Sequence, residues 1–323
     1  MTVSERTPAA PTPPTSAEAG LVATGVHRRF GSVHALRGLS MTAAYGEVTG
    51  LVGPNGAGKT TLLLILATLL TPDAGEVRVG GHNPTTDTDA VRAVMGWVPD
   101  AFGVYDNLTA LEYLEFAGVA HRLSRNAAAQ RARELLAVAR LEEFAVAPVH
   151  VLSRGQKQRL GLVRALVHRP RVLLLDEPAA GLDPHSRVHL RSLLRELAKN
   201  GAAVLVSSHI LSDLEELADR IVIVDQGSTV GENRIDDLVP VMAARAWRLR
   251  ALDTAALTAA LDRLGHAYEA APNGGVDVQL GTDADAAALI SALVKKRVQL
   301  VMCAPAAGNL EAAYLQLTHD ERT

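Results

Sequence analysis

The stretch Gly53-Pro-Asn-Gly-Ala-Gly-Lys-Thr60 follows a segment rich in apolar residues, Glu47–Val52, and precedes the apolar run Leu62–Leu70. Its glycines allow backbone N–H groups to turn inward toward phosphate oxygens, and the start of a following helix adds positive potential. A strand before such a loop and a helix after it are the context in which the pattern predicts a phosphate-binding loop. We therefore expect a strand at Glu47–Val52, a helix at Lys59–Leu70, and Lys59 directed at the β- and γ-phosphates of a nucleotide.

A second stretch, Val172-Leu-Leu-Leu-Asp-Glu177, ends an apolar run with two carboxylates. A short, fully apolar run predicts a strand in the middle of a parallel sheet. Asp176, at its carboxyl end, is expected to hold Mg²⁺ together with the Thr60 hydroxyl, and Glu177 is expected to deprotonate an attacking water. The alternative is an acidic pair that caps the next helix, against which Pro178 and the upstream loop both argue.

A third stretch, Leu152-Ser-Arg-Gly-Gln156, lies between the first two. Together the three resemble the ATP-binding-cassette (ABC) ATPases, and the resemblance covers about Leu21–Val239. It implies that Ser153 and Gly155 complete the γ-phosphate site of an opposite subunit. Arg154 replaces a common glycine of this signature, and its side chain is expected to point outward. Read alone, the Ser153 turn predicts an ordinary helix N-cap.

The resemblance implies roles for four further residues. Asp183, in Ala180-Gly-Leu-Asp183, couples the two sites of a dimer, and His209 hydrogen-bonds the γ-phosphate. Phe30 stacks on adenine, and Asp100 stands where the family usually has a glutamine that senses Mg²⁺. Read alone, His209 would be an ordinary loop histidine and Phe30 a core residue.

The candidate site is therefore the following set. The expected nucleotide-binding residues are Phe30, Gly53, Pro54, Asn55, Gly56, Ala57, Gly58, Lys59, Thr60, Thr61, Asp100, Ser153, Gly155, Gln156 and Asp183. The expected catalytic residues are Glu177, His209 and Lys59, and the expected Mg²⁺ ligands are Thr60, Asp176 and Asp100. The cofactors that this set implies are ATP and Mg²⁺.

Strands alternating with helices predict a doubly wound α/β core. Strands are expected at Leu21–Phe30, Ala35–Thr42, Ala203–Ser207 and Arg220–Asp225, and helices at Thr109–Ala120, Ala127–Ala139, Gly155–His168, Pro184–Lys199 and Leu211–Leu217. The resemblance implies that this is a P-loop NTPase cassette with a RecA-like core, an antiparallel β-subdomain and an α-helical subdomain. The expected domains are a disordered tail at 1–20, the ATPase at 21–240 and a small α+β domain at 241–323.

The small domain is expected to be ferredoxin-like, with elements in the order β-α-β-β-α-β. Its strands are predicted at Trp247–Leu252, Tyr268–Ala271, Val276–Leu280 and Val298–Cys303, and its helices at Thr254–Leu264 and Asp283–Lys296, with a last helix at Leu310–Leu317.

Composition excludes several classes. A net charge of −3 gives no electrostatic footprint for nucleic acid. No apolar run approaches the roughly 20 residues that span a bilayer, and the proline-rich start lacks the apolar segment of a secretory signal. Cys303 is the single cysteine, so no intrachain disulfide can form. We expect a cytoplasmic protein, peripheral on the inner face of the plasma membrane.

The expected function is that of the ATP-hydrolysing, energy-coupling subunit of an exporter, which pairs as a homodimer or related heterodimer and drives a separate membrane permease. Phe102–Thr109 and Asn309–Thr318 resemble ATPases that pair with type-two ABC export permeases. The cargo stays open among drugs, lipids and polysaccharides. Two alternatives are a soluble ABC ATPase acting on ribosomes or DNA, and a weakly hydrolysing regulatory member of a heterodimer. A GTPase has no support, since no guanine-reading Asn-Lys-x-Asp motif occurs.

Overall fold

The computed structural model describes residues 19–100, 103, 107–235, 245–271 and 274–306. The chain divides into two compact units, Met1–Glu232 and Asn233–Thr323. Within the described ranges, no helix has the length and apolar character needed to span a membrane. The predicted helix Leu310–Leu317, the motif Asn309–Thr318 and most of the predicted tail lie outside the described residues.

The elements of the first unit alternate along the chain. In order they are β1 Ala19–Phe30, β2 Val33–Ala44, β3 Val48–Val52, α1 Lys59–Leu66, β4 Ala74–Val79, α2 Thr88–Val94, β5 Met95–Val98, α3 Ala110–Ala120, α4 Arg125–Ala139, α5 Arg154–Ala165, β6 Val172–Asp176, α6 Pro184–Lys199, β7 Ala203–Ser208, α7 Leu211–Glu215, β8 Arg220–Asp225 and β9 Ser228–Arg234.

A six-stranded sheet in the order β5-β6-β7-β3-β8-β9 forms the centre of this unit. From β5 to β8, neighbouring strands pair in parallel. Every residue of β3, β6 and β7 is buried, which explains why most of their residues are apolar. Because β6, β7 and β3 are neighbours, the segments that follow their carboxyl ends meet at one edge of the sheet.

A second, antiparallel sheet has the order β2-β1-β4. Its inward residues and those of α1 belong to the same core as the apolar residues of the central sheet. The three helices α3 to α5 pack on one another, and two of them begin with capping boxes, at Thr109 and at Ser153. The cassette fold with its RecA-like core, antiparallel sheet and helical part is thus confirmed.

Several sequence expectations need correction. β1 begins at Ala19, inside the segment expected as a disordered tail, because Ala19 pairs with Ala44 and is buried. α1 ends at Leu66, four residues early, since Thr68 takes a positive φ of 64° that no helix accommodates. α5 and α7 also end before their predicted last residues, at Ala165 and Glu215.

The second unit has six described elements. They are β10 Arg245–Ala251, α8 Thr254–Leu264, β11 Tyr268–Ala271, β12 Gly275–Leu280, α9 Asp283–Lys295 and β13 Leu300–Pro305. The four strands form one antiparallel sheet in the order β11-β12-β10-β13. A separate core lies between this sheet and the two helices, with Leu249, Leu261, Val278 and Leu293 among its fully covered residues.

Candidate functional site

The loop Gly53–Thr60 joins β3 to α1, and its glycines allow close approach to the surrounding backbone. A Cβ atom on Gly58, whose φ is 104°, would lie 2.6 Å from the carbonyl oxygen of Ala35. A Cβ atom on Gly53 would lie 2.2 Å from the carbonyl oxygen of Val224. Pro54, Asn55 and Gly56 are exposed at the outer side of the loop. One side of the loop therefore packs closely against neighbouring backbone and the other side is open to solvent, as phosphate binding requires.

Lys59 opens α1 and points back into the loop. Its side-chain nitrogen donates to the carbonyl oxygens of Gly53 at 2.6 Å and Pro54 at 3.1 Å. Burial lowers the pKa of the Lys59 ammonium, while the carboxylates of Glu177 and Asp176 act to raise that pKa. The ammonium thus lies inside the loop with both carboxylates near, where phosphate oxygens can take over its carbonyl contacts.

Thr60 and Asp176 meet across the gap between α1 and β6. The Thr60 hydroxyl donates to Oδ2 of Asp176 at 3.0 Å, and Asp176 is only 3% exposed. A hydroxyl and a carboxylate are the oxygen donors that Mg²⁺ accepts beside nucleotide phosphates. Among the described residues, no group of three or more His, Cys, Asp and Glu side chains is arranged to hold a metal ion. The pair would supply two protein oxygen ligands to a Mg²⁺ bound beside the phosphates.

Glu177 and His209 follow neighbouring strands and contact each other. Oε2 of Glu177 lies 2.9 Å from Nδ1 of His209. The Glu177 side chain is 17% exposed and that of His209 is 50% exposed. A partly buried carboxylate beside an imidazole can take a proton from water while the ring stays in one orientation.

The Ser153 turn presents a hydroxyl at the start of α5. The Ser153 hydroxyl accepts from the N–H of Gln156 at 3.3 Å, and the Gln156 side chain accepts from the N–H of Ser153 at 2.7 Å. Ser153 is thus the N-cap that the local interpretation predicts, and it is also exposed. Gly155 is half-buried beside Leu182, and exposed Arg154 lies along Gly181 rather than straight out into solvent.

The remaining predicted residues, Asp183, Asp100 and Phe30, are exposed. Asp183 caps α6, and hydrogen bonds from Ser186 lower the pKa of its carboxyl group. Asp100 is exposed just past β5, and among the described residues it makes no hydrogen bond or ion pair with Asp176 or Glu177. Phe30 is 47% exposed at the end of β1, so the core interpretation of this residue is wrong.

Comparison with known proteins supplies the family. The ABC transporter profile matches residues 36–180, which include the phosphate loop, the Ser153 turn and the acidic pair. The daunorubicin resistance ATP-binding protein DrrA3 of Streptomyces coeruleorubidus is 39% identical over 222 residues, 69% of this chain and 70% of that protein. The chain belongs to the ABC transporter ATP-binding proteins.

Other relatives and solved structures agree with this ABC assignment. The linearmycin resistance ATP-binding protein LnrL of Bacillus subtilis is 36% identical over 218 residues, 68% of this chain and 70% of that protein. The Nod factor export ATP-binding protein I of Burkholderia lata is 40% identical over 207 residues, 64% of this chain and 68% of that protein.

Two solved structures are similar to the cassette. An ATP-binding subunit of an ABC transporter superposes with a TM-score of 0.63 at 29% identity, covering 68% of this chain and 91% of that chain. A dimeric cassette bound to ADP and Pi gives a TM-score of 0.61 at 28% identity, covering 67% of this chain and 98% of that chain. This ABC chain is therefore an ATPase that binds adenine nucleotide.

Sequence reasoning missed two features of this ATPase. Ser207, in β7, contacts both residues of the acidic pair; the polar run Ser207-Ser208-His209 after an apolar strand was the available signal. A groove of about 390 Å³ also opens beside β5, lined by Leu69, Arg92, Trp97, Tyr113, Phe116, His121, Arg164 and His168 among others. Tyr113 and Phe116 lie on α3, a helix that the sequence predicts, whereas Trp97 lies on β5, which the sequence leaves unassigned.

Proposed function

We propose that this chain is the energy-coupling ATPase of an exporter and that two copies, or one copy and a close relative, enclose two ATP–Mg²⁺ between them. The observation that carries the proposal is the meeting of two pairs at one sheet edge: Thr60 with Asp176, and Glu177 with His209. The drug-resistance and export names of the relatives support transport, and they disfavour a ribosome- or DNA-associated role.

The residues divide the work of hydrolysis. Lys59 and the N–H groups of Gly53–Thr60 hold the phosphates, and the Thr60 hydroxyl with Asp176 holds Mg²⁺. A Mg²⁺ held by these two residues would neutralise charge that develops on the phosphate oxygens. Glu177 accepts the proton of the attacking water, and His209 keeps the Glu177 carboxylate and the γ-phosphate in line. Phe30 offers an exposed π-face to adenine.

The second half of each site comes from the other copy. Ser153 is exposed at a helix N-terminus, where its hydroxyl and the positive end of α5 suit anionic oxygens. We assign Ser153, Gly155 and Gln156 to the γ-phosphate of the neighbouring copy's ATP, and Asp183 to the contact that couples the two sites. The dimeric cassette bound to ADP and Pi, to which this chain is similar, supports this pairing.

The groove beside β5 is the surface we assign to the permease. Leu69 and Phe116 on its rim are 56% and 53% exposed, a high exposure for large apolar side chains. Trp97, on β5, lies in the groove three residues before Asp100. Closure of the ATP site can therefore act on a membrane partner through a short segment, and this coupling supports a peripheral position at the membrane.

The test compares Glu177→Gln with Glu143→Gln, a change at an exposed glutamate that is not among the assigned site residues. Loss of a general base lowers turnover by about 10²- to 10⁴-fold. Glu177→Gln should lose Mg²⁺-dependent ATPase activity on this scale while binding ATP as tightly as the natural chain, and Glu143→Gln should keep full activity. Undiminished hydrolysis by Glu177→Gln would exclude the assigned base.

The cargo is proposed from the relatives alone. Two of them are named for resistance to daunorubicin and to linearmycin, so we favour a drug-like molecule over a lipid or polysaccharide. A co-purifying membrane protein, lost in a Leu69→Glu variant that keeps its own ATPase activity, would identify the permease and its surface.

A further inference from the structure

One buried hydroxyl serves both residues of the acidic pair. Ser207 is fully buried in β7, directly opposite Asp176 in the register of β6 and β7. Its hydroxyl donates to Oδ1 of Asp176 at 2.5 Å and accepts from the backbone N–H of Glu177 at 3.1 Å. The hydroxyl therefore links the side chain of one residue to the backbone of the next.

The first of these bonds fixes the Asp176 carboxylate. Its Oδ2 atom accepts from the Thr60 hydroxyl, and its Oδ1 atom accepts from Ser207. With one donor on each oxygen, the plane of the carboxylate has a single orientation, and Oδ2 faces α1. Without Ser207, the carboxylate is free to rotate and Oδ1 loses its buried donor.

The second bond holds an unusual backbone. Glu177 has a φ of 49°, in the left-handed region that residues with a Cβ atom seldom adopt. Such a conformation persists only where surrounding contacts fix it, and these positions cluster at functional sites. Ser207 binds the N–H of this residue, while the Ala180 N–H donates to its carbonyl oxygen at 3.0 Å. The turn so fixed directs the Glu177 carboxylate to His209.

We propose that Ser207 is a positioning residue for ATP hydrolysis. Through one hydroxyl it orients the Asp176 carboxylate to bind Mg²⁺ and the Glu177 carboxylate to accept a proton from water. The proposal rests on the assigned ATPase site. The competing interpretation is that Ser207 is a satisfied polar group of the core, whose loss affects folding and nothing else.

Ser208 provides a matched control on the same strand. It is also buried, yet its hydroxyl contacts only Ile210 among the described residues. Ser207→Ala should lower kcat by about 10- to 100-fold, the scale of one hydrogen bond to a charged group. The KM for ATP should stay within about twofold, because the phosphate loop is untouched. Ser208→Ala should keep kcat within about twofold.

A readout independent of turnover is Mn²⁺ binding, followed by electron paramagnetic resonance with a non-hydrolysable ATP analogue present. Ser207→Ala should weaken Mn²⁺ binding several-fold and leave metal-free analogue binding unchanged. If Ser207→Ala does not fold, Ser207→Cys tests the same bonds, since its thiol fills the space but donates weakly. Equal kcat in the natural chain and either Ser207 variant, or equal losses in Ser207→Ala and Ser208→Ala, would overturn the proposal.

The assigned site can be judged separately. If Glu177→Gln keeps its ATPase activity, the site assignment itself is wrong. If Glu177→Gln is inactive while Ser207→Ala hydrolyses ATP normally, only the role of Ser207 is wrong.

Discussion

Acid should destabilise the first unit through His168, which lines the groove beside β5. Its ring stacks on His121 at a centroid distance of 3.8 Å, and its Nε2 lies 3.0 Å from the carbonyl oxygen of Met95. Burial lowers the pKa of His168 from 6.5 to about 4. His121 contributes a smaller lowering of this pKa, and the hydrogen bond with Met95 acts to raise it. Its buried Nδ1 has no hydrogen-bond partner among the described residues, so a proton there stays unmatched.

The sign and size of the expected change in folding stability follow from the linkage between protonation and folding. The folded chain holds His168 neutral where the unfolded chain protonates it, so the stability it contributes is present above pH 6.5 and is lost as pH falls toward 4. At about pH 5, the difference between the pKa of His168 in the unfolded and the folded chain corresponds to a loss of at most ~2 kcal/mol of folding stability. The ring is partly exposed, and solvent screening reduces this to ~1 kcal/mol.

The assay is urea unfolding at about pH 7.5 and about pH 5, followed by Trp97 fluorescence. The chain has two tryptophans, one in each unit, so a Trp247→Phe background makes Trp97 report on the first unit alone. In that background His168→Gln should lose ~1 kcal/mol less stability on acidification than the parent. His34→Gln, at an exposed position, should behave as the parent does. Equal losses for the His168→Gln variant and the parent would refute the reasoning.

Three further predictions concern the nucleotide site. Gly58→Ala should cost ~1–3 kcal/mol more stability than Gly56→Ala in urea unfolding, since of these two positions only Gly58 would bring a Cβ atom against the backbone. Equal costs would contradict this. Phe30→Ala should weaken ATP binding by about tenfold and Phe30→Trp should not, as measured by calorimetry, if the exposed ring stacks on adenine. Thr60→Ala should raise the Mg²⁺ concentration for half-maximal hydrolysis several-fold, and an unchanged Mg²⁺ requirement would exclude the hydroxyl as a ligand.

Local patterns sufficed for the elements that carry the site. The phosphate loop, the buried strand before Asp176 and the helix at Pro184–Lys199 were predicted because each combines a turn signal with a burial pattern of its own. β4, α2 and β5 were missed for the opposite reason. β4 has only two buried residues, α2 has only Val91, and β5 is four residues long. Such short elements owe their structure to neighbours that the sequence does not reveal.

Ser207 shows what pattern alone cannot supply. Its role depends on the pairing of β6 with β7, which are separated in the chain by α6. The sequence predicts both strands but not that Asp176 and Ser207 lie opposite each other. Phe30 is a case in which the local pattern is misleading. An aromatic residue at the end of a strand pattern suggests a core position, yet Phe30 lies at the end of a hairpin and is exposed.

The most direct test of the paired-site account is the mass of Glu177→Gln in solution, measured by gel filtration with light scattering. The account predicts that its 34.1 kDa mass doubles with MgATP and not with ADP. It also predicts that adding Ser153→Arg abolishes the doubling while ATP still binds. A mass that stays at 34.1 kDa with MgATP bound would contradict the account.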